Sequence, residues 1–453
     1  MIREISPLDG RYAATLAPLG DIFSEFALAR ERCTVELLYL RALDSVGIFH
    51  PLTAGEIERI DAALSHFDDA DFDRIKAIEA ETNHDVKSCE LFLRETLALT
   101  QPERIHFGLT SADVNNLAYA RLLKRYRDEH QLPQLRALGT ALADRTEAWA
   151  AVPFPARTHG QAASPTTAGK EMAVFLVRLV RQGRKLEVHH FRGKLNGATG
   201  TYAALATTVP DVDWRAFARQ FVESQDLEWS DCTTQIEGYD SIAEYLDLTA
   251  RINAIVLDLD LDLWQYISRG EIVQRAVEGE VGSSTMPHKV NPIRFESSEG
   301  NLTVSNALLH AIGDKLTQSR MQRDLSGSTV ARNLGTALAY SYLAIDQTLR
   351  GLDRIDVDRD AAYRHVADHP EVLAEAIQTV LRAEGVEDPY AVLKGRTRGR
   401  VTTLDELRDW IDELDVAEDV KVRLKALEPS SYIGLAETVA RGAVADARTW
   451  LGN

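Results

Sequence analysis

The chain has 453 residues, enough for two or three domains, and its 45% hydrophobic and 26% charged content is that of a globular protein. Its 51 basic against 69 acidic side chains leave a formal charge of −18, which argues against general nucleic-acid binding and requires any anionic ligand to meet cations gathered locally. Cys33, Cys89 and Cys232 are too scattered for a disulfide framework or a zinc site, no apolar signal core opens the chain, and no run of about 18 apolar residues occurs, so a cytoplasmic protein is expected.

In chain order, residues 1–107 read as an N-terminal domain of shorter helices. Pro7-Leu8-Asp9-Gly10-Arg11-Tyr12 is a turn that presents Arg11 and Tyr12. Thr82-Asn83-His84-Asp85-Val86-Lys87 is a dense polar cluster, either a helix start capped by Asn83 or Asp85, or a ligand contact, or both. Thr110-Ser111-Ala112-Asp113-Val114-Asn115-Asn116 allows the same two readings, with Thr110 or Ser111 as the cap.

Residues 108–352 read as a central bundle of long helices. No proline falls between Pro165 and Pro210, Pro210 and Pro287, or Pro292 and Pro370. Within these gaps Tyr245, Leu248, Ile252, Ile255, Leu259, Leu263 and Ile267 recur at helical spacing, as do Leu302 to Ile312 and Leu334 to Leu343. Apolar faces on more than one side of such helices imply packing against other subunits. Ahead of them, Arg157-Thr158-His159-Gly160-Gln161 is expected as a loop leading into a helix, with His159 flanked by polar neighbours. Thr233-Thr234-Gln235-Ile236-Glu237 is a weaker polar cluster. From Ser319 to Asn333, arginines including Arg323 and Arg332 mix with the hydroxyls of Ser328 and Thr329, a set suited to a phosphate or to a solvated helix end. Residues 353–453 read as a C-terminal helical domain, irregular between Leu381 and Thr403. No alternating pattern supports a sheet, so the fold class is all-α.

Residues 279–300 hold the densest chemistry. Gly279 and Gly282 free the backbone, Ser283, Ser284 and Thr285 line up hydroxyls, and Pro287 and Pro292 exclude helix between them. His288, Lys289 and Asn291 lie between the prolines, and a helix start near Pro292 offers amide donors to an anion. Dinucleotide and phosphate-loop glycine motifs, a nucleophile elbow and a His-Glu-x-x-His pair are absent, and His189 and His190 do not face one way on a helix; no cofactor and no metal are expected.

The order Gly-Ser-Ser-x-Met-Pro-x-Lys-x-Asn-Pro-x-x-x-Glu, Gly282 through Glu296, resembles the mobile loop of the fumarase/aspartase superfamily, whose members eliminate fumarate from substituted succinates. Arg157-Thr158-His159, with Arg11-Tyr12 and Asn83-His84-Asp85, resembles the members that act on succinylated purine nucleotides. That resemblance implies an all-α, three-domain fold whose central helices build a tetrameric core, with pockets shared between subunits. It implies Ser283 as the base, His159 as the acid, Lys289 and Asn291 as holders of the carbanion's carboxylate, and Glu296 as an orienting carboxylate for His159. Arg11, Tyr12, His84, Asp85, Ser328 and Arg332 then serve the phosphate and sugar, Thr110, Ser111, Gln235, Ser284 and Arg323 the succinyl group and base, and Asn83 and Thr329 are further substrate-binding residues. The alternatives are another fumarate-releasing lyase, such as one acting on argininosuccinate, and a catalytically silent helical scaffold.

Overall fold

The computed structural model describes residues 4–275, 286, 289–390, 393 and 403–452. The N-terminal helices start where side chains satisfy the first amides. Ser24 accepts from the Ala27 amide to open α2 (Glu25–Asp44), after α1 (Ala13–Phe23). Thr53 with Glu56, and Asp68 with Asp71, close capping boxes over α3 (Ala54–Ser65) and α4 (Asp69–Thr82). With α5 (Asp85–Leu97) these helices bury Cys33, Leu37, Leu40, Ile60, Ile75, Ile78, Cys89 and Leu93 in one core. Each such aliphatic side chain taken from water contributes about 1.5–3 kcal/mol.

The longer helices follow: α6 (Ser111–Tyr126), α7 (Leu132–Ala148), α8 (Ala168–Glu187), the short α9 (Ala203–Thr208) and α10 (Trp214–Glu223), then α11 (Asp240–Arg269), α12 (Ile293–Leu316), α13 (Ser326–Ala331) and α14 (Leu334–Leu352). The periodic stripe from Tyr245 to Ile267 is the inner face of α11, and α12 begins directly after Pro292. Beyond α15 (Arg359–Ala367) and α16 (Ala374–Ala383), the helices Leu404–Asp412 and Glu418–Lys425 pack Leu373, Ile377, Leu381, Leu407, Trp410, Ile411, Val420 and Leu424 into a second core, and Ala436–Leu451 closes the chain.

Helix dominates, as the all-α expectation requires. The described residues add short strands of two or three residues: β1 (Pro153–Phe154) with β4 (Thr166–Thr167), β2 (Arg157–Thr158) with β3 (Gln161–Ala162), β7 (Ile272–Gln274) with β8 (Ile355–Val357), all antiparallel, and β5 (Arg192–Gly193) parallel to β6 (Glu228–Trp229). Strands this short carry no alternation for hydrophobic patterning to reveal.

The chain divides into two compact units, one of residues 1–134, 182–254 and 300–344, the other of 135–181, 255–299 and 345–453. In each, a buried polar contact fixes α11 against α12 and α14. In the first, Asn253 donates to Ser305 (3.1 Å) and Asn306 (2.9 Å) and accepts from Ser341 (2.6 Å). In the second, Thr348 donates to Asp260 (2.9 Å) and shares a hydrogen bond with Ser298 (2.8 Å). Burial raises the Asp260 carboxyl well above the usual carboxylate range, against the pull of those hydroxyls. Among the described residues no helix is long and apolar enough to cross a membrane.

Glu56 shows how the caps link stability to pH. Hydrogen bonds from the Thr53 and Thr100 amides bring its carboxyl down from 4.5 to about 2. A lowered folded-state pKa means stability that is present above the unfolded value and lost as pH falls through the folded one. Urea midpoints measured from pH 6 to pH 2 are therefore expected to fall more steeply for the wild type than for Glu56→Gln, with the difference confined to the span below the unfolded value of about 4.3.

Candidate active site

A cavity of about 210 Å³ in the first unit brings together Asn83, His84 and Asp85, Ser111, Arg323, Ser328 and Arg332. The first cluster is shaped by two helix ends. Asn83 ends α4 with a left-handed backbone (φ 52°) and its amide donates to Glu79 O at 2.8 Å. His84, and not Asn83, is the cap of α5: its Nδ1 accepts from the Lys87 amide at 3.2 Å. An amide can only donate, so Nδ1 carries no proton there and the neutral ring is protonated on Nε2. Asp85 accepts from the Val86 amide at 2.9 Å through Oδ1, while Oδ2 is met by Arg32 Nη2 at 2.8 Å and Arg332 Nη2 at 2.9 Å. Partial burial opposes ionisation of Asp85, but Arg32, the Val86 amide and Arg332 outweigh it and hold the carboxyl below its ordinary value.

The second wall is the start of α6. Thr110 is its cap, and its own amide donates to Asp113 Oδ2 at 2.8 Å. Asp113 Oδ1 accepts from the Asn196 amide (3.1 Å), the Gly197 amide (3.3 Å) and Lys194 Nζ (2.8 Å), the two charged side chains being fully buried. Burial lowers the Lys194 pKa, and Asp113 works against that. Ser111, Asn115 and Tyr119, one helical turn apart, all line the cavity.

Arg323 enters the cavity held by Gln235, whose Oε1 accepts from Arg323 Nη1 at 3.3 Å while its Nε2 donates to Ala198 O at 2.9 Å. Asp324 accepts from the Ser326 hydroxyl and, at 2.8 Å, from the Ser326 amide; these bonds bring its carboxyl down to about 2. Ser326 opens α13, which carries Ser328 and ends at Arg332.

Thr110, Gln235 and Thr329 adjoin these residues in sequence without lining the cavity. Thr329 is exposed, and its hydroxyl donates to Leu325 O at 3.5 Å. Arg11 and Tyr12 also lie outside the lining: Tyr12 precedes α1, and the Arg11 guanidinium sits 5.9 Å from its ring centre. Sequence reasoning missed Arg32, Tyr119 and Tyr239, and took in Asn115 only as part of the 110–116 cluster without a role of its own. The four-residue spacing of Ser111, Asn115 and Tyr119 was available as a signal; Arg32, one of several charged residues in α2 beside Arg30 and Glu31, offered none.

The second unit carries His159, Lys289, Asn291 and Glu296, while Ser283 and Ser284 lie outside the described residues. His159 is not on an open loop before a helix. It occupies, with Gly160, the two-residue turn of the β2–β3 hairpin, both with left-handed backbones (φ 52° and 76°) as a tight hairpin turn demands. Its imidazole is exposed and makes no hydrogen bond among the described residues. Lys289 is exposed, its amide donating to Met286 O at 3.1 Å. Glu296, in the first turn of α12, accepts from the Trp264 indole at 3.1 Å. Among the described residues no group of three or more His, Cys, Asp or Glu is placed to hold a metal.

Residues 10–305 match the lyase family model and residues 319–433 the model of the adenylosuccinate lyase C-terminal region. The solved structures of a 3-carboxy-cis,cis-muconate lactonizing enzyme from Pseudomonas putida (TM-score 0.78, 22% identity, covering 96% of this chain and 97% of that one) and of a fumarate lyase from Mesorhizobium sp. BNC1 (TM-score 0.79, 18% identity, covering 95% and 97%) share the fold. Adenylosuccinate lyases of Escherichia coli K12 (45% identity, covering 97% of this chain and 98% of the relative) and Haemophilus influenzae (44%, covering 96% and 97%) are similar over nearly the whole length. The chain belongs to the lyase family and, within it, to the adenylosuccinate lyases.

The buried pair beneath the cavity gives a stability prediction. Lys194→Met leaves the Asp113 carboxyl one donor short, and breaking a buried ion pair costs about 3–5 kcal/mol. Because three backbone amides still serve that carboxylate, the loss in urea unfolding is expected near about 3 kcal/mol, at the lower end of this range.

Proposed function

We propose that the protein eliminates fumarate from adenylosuccinate, giving AMP, and from succinyl-aminoimidazole carboxamide ribotide, giving the carboxamide ribotide. The observation that carries this reading is the gathering of Asn83, His84, Asp85, Ser111, Arg323, Ser328 and Arg332, far apart in sequence, around one cavity. Arg32, Arg323 and Arg332 against Asp85 and Asp324 make it the local excess of cations that an acidic chain needs for a polyanionic nucleotide.

In the reaction Ser283 takes the proton from the carbon beside a carboxylate, the carbon–nitrogen bond breaks, and His159 delivers a proton to the departing nitrogen. The electron pair left on carbon delocalises into that carboxylate, whose second negative charge Lys289 and Asn291 stabilise. Glu296 orients His159; since its partner within the chain is Trp264, this pairing is assigned to a neighbouring subunit in a homotetramer. Val174 and Val177 on α8, Leu261 and Trp264 on α11, and Val304 on α12, all exposed, support that assembly. Thr110, Gln235 and Ser284 are assigned to the succinyl group and base, Arg11 and Tyr12 to the sugar–phosphate end, and Thr329 to substrate binding. The partition into residues 1–107, 108–352 and 353–453 is the domain scheme that accompanies this reading. No cofactor enters.

Turnover of adenylosuccinate, with argininosuccinate, malate and aspartate as competitors, tests the assignment: activity on one of the others alone overturns it. Ser283→Ala and His159→Ala are each expected to lower turnover at least 10²-fold, the usual worth of a positioned acid or base, with unchanged circular dichroism. Near-normal turnover in either variant removes that residue's role. Sedimentation of the active protein is expected at the mass of four chains, and an active monomer refutes the shared pocket.

A further inference from the structure

Arg32 is an almost fully buried arginine whose guanidinium is spent on two neighbours at the cavity wall. Its Nη2 donates to Asp85 Oδ2 and its Nε to Asn115 Oδ1, both at 2.8 Å. An arginine Nε carries a proton and has no acceptor capacity, so the Asn115 atom facing it must be the carbonyl oxygen. This settles the orientation of the amide by chemistry: the NH2 group is the end left over. Asn115 lines the cavity, and its NH2 has no hydrogen-bond partner among the described residues.

On the same face of α6, Ser111 and Tyr119 flank it, and across it lie Asp85 and Arg332. We infer that Asn115 is a substrate-binding residue, its NH2 donating to an acceptor oxygen on the sugar–phosphate end of the nucleotide, with Arg32 as the positioning residue that fixes which end of the amide is offered. The inference deepens the functional reading above and rests on it. The amide discriminates as well as binds: a group with a donor at that place meets two donors face to face and is rejected, whereas a phosphate or hydroxyl oxygen is accepted.

The test uses the full-length protein. Asn115→Asp keeps an oxygen for Arg32 Nε and so preserves the wall, but removes the donor; Asn115→Leu removes both. With adenylosuccinate as substrate, KM is expected to rise about tenfold or more in both variants, while kcat stays within about threefold. AMP as a competitive inhibitor should weaken by the same factor, whereas fumarate, which lacks the sugar–phosphate end, should inhibit both variants as it does the wild type. Unchanged thermal unfolding of Asn115→Asp shows that the wall is intact. Normal KM and AMP inhibition in Asn115→Asp, with only Asn115→Leu impaired, shows that Asn115 merely braces Arg32 and overturns the inference. So does weakened fumarate inhibition with normal AMP inhibition. Failure of the functional reading looks different: the wild type itself then leaves adenylosuccinate intact, and the same variants are compared on whichever of argininosuccinate, malate or aspartate the wild type consumes, a normal KM in Asn115→Asp again overturning the inference.

Discussion

The first unit hangs on the carboxylate of Asp113. A charge without access to water is tolerated only when it is paired and its lone pairs are filled, and here the amides of Thr110, Asn196 and Gly197 and the ammonium of Lys194 fill them. Four donors from two stretches of chain converge on one side chain, so the start of α6 cannot move independently of the turn at 194–200. The constraint propagates outward. Ala198 O anchors Gln235, and Gln235 anchors Arg323. Gly200 (φ 68°) passes so close to Thr233 that an added Cβ would lie 2.1 Å from its carbonyl oxygen, which is why glycine stands there. Arg323 is thus mounted on a buried electrostatic scaffold, and its aim costs little to maintain when a ligand arrives.

The same economy governs the opposite wall. Asp85 sits between two guanidiniums, and Arg332 reaches on to Glu25 at 3.5 Å. A carboxylate among arginines reduces the net positive charge of the cavity. In exchange it fixes long, flexible side chains that would otherwise have to be ordered on binding, at about 0.5–1.5 kcal/mol each. In an acidic protein, the pairing of Arg32 with Arg332 across the Asp85 carboxylate keeps two of the cavity's cations in a set geometry before any ligand arrives.

Much of this was legible beforehand. The long helices announced themselves through proline-free stretches and apolar spacing, because burial against neighbours imposes a helical period on the residues themselves. The polar clusters at 83–85, 110–111 and 323–332 stood out for a related reason: helix starts need caps, and capping gathers polar side chains at those points. What stayed hidden was tertiary. Arg32 looks like any charged residue on a helix until Asp85 and Asn115, far along the chain, are folded against it. His84 took the capping role that Asn83 is the commoner choice for, since an imidazole nitrogen satisfies an amide as well as a carbonyl does. The hairpin carrying His159 is too short to alternate. The assignments of Ser283 and Ser284 rest on motif order alone.

The turn that presents His159 has a consequence for how this region tolerates change. A two-residue connection with both backbones left-handed leaves no slack: lengthening it by one residue selects a different turn geometry and swings the ring away from its present direction. Histidine belongs to the small group of non-glycine residues that enter the left-handed region readily, whereas β-branched side chains do so at real strain. Position 159 thus filters its occupants by backbone tolerance, apart from the acid role proposed for it. A saturation library at that site is expected to split accordingly, with asparagine and glycine yielding correctly folded tips that lack the imidazole and valine or isoleucine remodelling the hairpin itself.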